Sequence, residues 1–122
     1  MNKDEMIQRI DLIADLQRAK IIGDPVRAFE YQLAEREARL YRDSNYSIET
    51  PLSIRCWAEA RGWTDQAACD DILVEADAFN SVLNYIRVLR LKNKYAIISA
   101  NTNDEAEVIF SLTINALKSI SI

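Results

Sequence analysis

Apolar residues recur every three or four positions along almost the whole chain, the period of helices that bury one face. Met6, Ile10, Ile13 and Ala14 form the first stripe, widened by Leu12, Leu16 and Ala19, and predict a substantially buried helix over about 4–22. Gly23 suits the left-handed residue that ends it. Asp24 and Pro25 open a second helix, about 25–43: the Asp accepts from free N–H groups and the Pro fits a first turn that needs no donor. Its Val26, Phe29, Leu33 and Leu40 share one side and are expected to face the core, while Glu35 and Arg39 at i,i+4 mark a solvated face.

Turn-forming Asp43, Ser44 and Asn45 close that helix. Thr50 and Pro51 repeat the Asp-Pro device and predict a short helix, about 51–61, ending at Gly62. Thr64 is the expected cap of a long helix, about 65–98. Its Ile72, Ala76, Phe79, Leu83 and Ile86 alternate by four and three, a coiled-coil-like seam that Arg90 interrupts. Such a helix measures about 50 Å at 1.5 Å per residue, long enough to project or to pair with another chain. Residues 95–99, YAIIS, also fit a short strand, but no partner strand offers itself and helix is preferred. Thr102 and Glu105 carry a capping-box signature for a last helix, about 103–121, with Ala106, Ile109, Phe110, Leu117 and Ile120 on its apolar face. The predicted fold is all-α: a helical bundle of about five helices, one of them long, forming a single helical domain over 1–122.

Composition supports this reading. The 122 residues include only two Gly and two Pro, which favours long regular elements. With 19 acidic and 15 basic residues the net charge is −4, which argues against general attraction to nucleic acid or anionic membrane. No apolar run approaches the ~18 residues of a membrane span, and the opening MNKDEMIQRI does not resemble a signal peptide. Cys56 and Cys69 lack CxxC spacing and read as reduced, buried small residues of a cytosolic fold.

Histidine is absent, which removes His-based nucleophile systems, the usual zinc sites and the Glu-x-x-His di-iron pattern. Two isolated glycines cannot build a phosphate loop. No motif points to a catalytic residue, a metal ligand or a cofactor, and an enzyme is the weakest of three functional readings. Three constellations remain. Asp70, Asp71 and Glu75, with Asp65 and Asp77, crowd the start of the long helix; Asp71 and Glu75 share a face suited to a hard cation or a basic partner. The plainer explanation is complementarity to the positive end of the helix dipole. Arg87, Arg90 and Lys94 form a basic stripe near the other end, suited to phosphates or an acidic partner, with the dipole again as the plainer explanation. Trp57 and Trp63 flank the Gly62 break and suit either a recognition surface or, preferably, a buried corner in which they pack together.

From Tyr31 to about Ile97 the chain resembles small tail-associated proteins of tailed bacteriophages and prophages. The resemblance rests on YQLAEREARLYRDSNY, ETPLSIRCWAEARGWTDQAACDDIL and a helix ending IRVLRLKNKYAI. Trp57, Ala58, Ala60, Gly62, Trp63, Thr64, Gln66 and Ala67 match the central motif, followed by Asp70, Asp71, Ile72 and Leu73. Ile86, Arg87, Arg90, Leu91 and Lys94 match the tail of the pattern. Asn45 stands where the group has Gly before Tyr46, a mild change because Asn tolerates left-handed backbone.

The resemblance implies a non-enzymatic structural or tail-assembly protein, in the bacterial host cytoplasm or on the virion. Its partners would be other phage proteins or itself, as a homo-oligomer. The competing reading is a small acidic phage effector that binds and inhibits a host protein through a solvent-facing acidic array. Asp70, Asp71, Glu75, Arg87, Arg90 and Lys94 are the candidate partner-binding residues.

Overall fold

The computed structural model describes residues 1–121, among which five helices and no strand occur. They are α1 (Lys3–Ile22), α2 (Pro25–Asp43), α3 (Leu52–Arg61), α4 (Asp65–Ser99) and α5 (Asn103–Lys118). The protein is an all-α helical bundle. Helix is the outcome at 95–99, and α5 stops at Lys118, short of the expected 121.

Punctuation acts largely as its chemistry demands. Gly23 and Gly62 are left-handed, with φ of 66° and 68°. The Asp24 carboxylate accepts from the Val26 N–H at 2.8 Å, and Thr64 Oγ1 accepts from the Ala67 N–H at 3.1 Å. Thr102 Oγ1 accepts from the Glu105 N–H, but the Glu105 carboxylate reaches back to the Asn101 N–H, one residue before the expected capping-box partner.

Thr50 departs from expectation. It does not cap α3; its hydroxyl donates to Asp65 Oδ2 at 2.7 Å. The first turn of α3 is served instead by Glu37 on α2, whose carboxylate accepts from the Ser53 N–H at 3.0 Å. A carboxylate carried in from a neighbouring helix does the work of a local cap.

Packing is organised in two compact units. Gly23–Phe79 holds α2, α3 and the first part of α4 around Ala38, Tyr41, Ile54, Ala58, Ala68, Cys69, Ile72 and Leu73. Met1–Ile22 and the chain from Asn80 onward hold α1, the rest of α4 and α5 around Met6, Ile10, Ala14, Ile86, Ile97, Ala106 and Leu117. The α4 seam Ile72, Ala76, Phe79, Leu83 and Ile86 is buried or half-buried along its length, as its spacing predicts.

Several faces turn the other way from expectation. On α1, Leu12, Leu16 and Ala19 are exposed, and Gln17 completes the inward line of Met6, Ile10 and Ala14. On α2, Val26, Phe29, Leu33 and Leu40 all face solvent. The inward face carries Ala34, Ala38 and Tyr41, about a third of a turn round the helix at ~100° per residue. Small alanines let neighbouring helices approach closely, so this face wins although the outward stripe has larger side chains. Cys69 is buried, its Sγ donating to the Ala38 carbonyl at 3.2 Å, whereas Cys56 is exposed.

Candidate interaction surface

The acidic start of α4 is held by specific partners rather than by the helix dipole alone. Asp65 is the acidic residue in the first turn. Asp70 accepts from Arg42 Nη2 at 3.0 Å and from the Tyr46 hydroxyl at 2.7 Å. The Tyr46 hydrogen bond and the nearby guanidinium hold the Asp70 carboxyl below its ordinary value against the opposing effect of burial. The same bond pushes the Tyr46 phenol up. Asp77 pairs with Arg39, which also bonds Glu35 and is raised by those two carboxylates.

Asp71 lies at the Gly62 corner. Trp57 Nε1 donates to Asp71 Oδ2 at 2.9 Å, and Arg61 Nη1 lies 3.5 Å from the same oxygen. The Arg61 guanidinium carbon sits 4.4 Å from the centroid of the Trp57 ring and 5.3 Å from that of Trp63. The corner is therefore organised about a cation shared by two indoles, not by indoles buried against each other. Trp57 is half-buried and packs against the core of its unit, as its place on the Ile54 face predicts, whereas Trp63 is 43% exposed, which corrects the expectation that it too is core.

The basic stripe divides in two. Arg90 and Lys94 converge on Asp11 of α1, with N–O distances of 3.3 Å and 2.8 Å. Burial alone would raise the Asp11 carboxyl; hydrogen bonds from Lys94 and Arg90 outweigh it and leave the group lowered. Arg90 Nε is buried with no hydrogen-bond partner among the described residues. Arg87 is exposed and takes no part in the ion pairs that Arg90 and Lys94 make with Asp11. None of the three caps α4: its last carbonyls are met by Lys3 of α1, whose Nζ lies 3.2 Å and 2.8 Å from the carbonyl oxygens of Ile98 and Ala100. Of the six candidate residues, four are committed to partners inside their own unit. Glu75 and Arg87 alone face solvent without such a partner among the described residues.

The exposed apolar surface was not legible as a site. Tyr85, Val88, Leu91, Tyr95 and Ile98 line the outer side of α4, opposite the buried Ile86 and Ile97, and Tyr95 is 71% exposed. Residues 78–99 contain Arg87, Arg90, Lys92 and Lys94 but no Asp or Glu. With Arg90 and Lys94 engaged by Asp11, Arg87 and Lys92 are left beside the stripe. A shallow open depression of about 500 Å³ adjoins Tyr85, lined also by Val82, Ala116 and Ile120. On α2 the outward stripe of Val26, Phe29, Leu33 and Leu40 includes Phe29 at 76% exposure. The signal that could have found the α4 stripe is a second apolar series at three- and four-residue spacing, offset from the seam. Neither cluster supplies a converging set of nucleophile, base and oxyanion donors. Among the described residues no group of three or more Cys, Asp or Glu side chains is arranged to hold a metal ion, and no helix is long and apolar enough to cross a membrane. No family model, curated protein or solved structure matches the chain.

Proposed function

We propose that this chain is a non-enzymatic structural or tail-assembly protein of a tailed phage or prophage, working through helix–helix contacts with other phage proteins or with itself. One observation carries the proposal: helices that already bury one face in a core present a second, apolar face to solvent. Large side chains clustered on an outer helix face are the usual substrate of protein association. The resemblance over residues 31–97 supplies the phage context. It assigns no catalytic residue, and none is proposed.

The effector reading draws on the acidic array, and Asp70, Asp71 and Asp77 are already paired with Arg42, Arg61 and Arg39. That leaves fewer charges for a foreign basic groove. Recovery of an affinity-tagged chain from phage-producing cells, with mass spectrometry of what accompanies it, tests the assignment. Tail or other particle proteins are the expected companions. A host protein recovered in stoichiometric amount, with no particle protein, overturns the assembly reading in favour of the effector.

A further inference from the structure

We infer that the outer face of α4 in one copy of this chain packs against the outer face of α2 in a second copy. The inference deepens the helix–helix reading above, and names both the partner and the surfaces.

The two stripes match in length and period. Tyr85 to Ile98 and Val26 to Leu40 each extend about 20 Å at 1.5 Å per residue. Both step by three, four or seven positions, the spacing with which knobs of one helix enter holes of another. One edge of the α2 stripe is opposite in charge to the α4 stripe, and the other is mixed. Arg87 and Lys92 bracket the α4 stripe, whereas Glu30 and Glu37 run along one edge of the α2 stripe, and Arg36 and Asp43 along the other. The asymmetry extends to the units that carry them. Gly23–Phe79 contains 12 of the 19 acidic residues and 6 of the 15 basic ones, so the other unit, which carries α1, the rest of α4 and α5, holds the basic excess.

Charge also decides against the simpler pairing of two α4 faces. Two α4 stripes face to face bring Arg87 and Lys92 of both copies together with no carboxylate between residues 78 and 99 to offset them. An α4 stripe on an α2 stripe brings those cations to Glu30. The depression beside Tyr85 gives the exposed Phe29 ring a place to enter.

Mixing two surface variants of the full chain tests the pairing. Phe29→Glu spoils the α2 face and leaves α4 intact; Leu91→Glu does the reverse. Both positions are exposed, and helical circular dichroism verifies that each variant folds. In light scattering across the micromolar range, the parent chain is expected to associate and each variant alone to be monomeric. An equimolar mixture is expected to regain a 1:1 complex, because one intact α4 face then meets one intact α2 face. Arg87→Glu with Lys92→Glu is expected to weaken association about tenfold or more, and adding Glu30→Lys to restore part of it.

A parent chain that stays monomeric overturns the inference while leaving association with other phage proteins to the recovery experiment. Association that persists in Phe29→Glu, or a mixture that stays monomeric, also overturns it. So does binding of the monomeric parent chain to anionic vesicles that Leu91→Glu abolishes, which would assign the α4 stripe to a lipid surface.

Discussion

Asn45 and Tyr46 follow one another in left-handed backbone, with φ of 57° and 58°. Asn is tolerant of that region, but a tyrosine there is strained, and its side-chain contacts hold it. The Tyr46 hydroxyl bonds Asp70, and its ring meets Tyr41 edge-on at 5.3 Å. Gly62 is the simpler case, because a Cβ there would touch nothing within 4 Å. Gly62→Ala is therefore expected to cost about 1–2 kcal/mol from backbone conformation alone, measured by chemical denaturation. Charge contributes at Asp11. Its folded pKa lies below the ordinary carboxylate value of 3.8, so the unfolded chain binds the proton more readily. The stabilisation is complete above about pH 4 and fades as pH falls through the lower, folded value. Asp11→Asn is expected to flatten stability against pH in that acid window and, because the group is partly exposed, to cost less than about 1 kcal/mol near neutrality. An unchanged acid limb would contradict the assignment.

At the scale of the element, helix ends proved far more legible than helix faces. Gly23, Asp24, Gly62, Thr64 and Thr102 announce boundaries through short-range chemistry that a sequence displays directly. Which side of α2 is buried depends on what approaches it. There Ala34 and Ala38 accept close neighbours, so the conspicuous Val26, Phe29, Leu33 and Leu40 are left outside. Partners such as Arg42 for Asp70 and Asp11 for Lys94 are set by packing, which spacing within one helix does not encode. The same holds for Glu37, whose service to α3 no local motif reveals. Glu37→Ala is expected to destabilise the protein by about 1 kcal/mol, like the loss of an N-cap residue, with the loss concentrated in amide exchange of the first turn of α3. Uniform exchange across α2 and α3 would argue against a capping role.

Over the whole molecule, two cores divide the hydrophobic burial while α4 contributes to both. Leu117 is fully buried in the core built on α1 and α5. Leu117→Ala should remove about 2–5 kcal/mol from that core. The expected thermal profile by circular dichroism is an early transition from the weakened unit, followed by one from Gly23–Phe79. A single transition lowered as a whole would mean that the continuous helix makes the cores melt together.

The corner at Gly62 gives that experiment its second channel. Both indoles of the chain, Trp57 and Trp63, lie within Gly23–Phe79, one bonded to Asp71 and both touching Arg61. Intrinsic tryptophan emission is thus a built-in reporter of one core and blind to the other. The early melt of Leu117→Ala should pass without a shift in the emission maximum, and the later one should carry the whole of it.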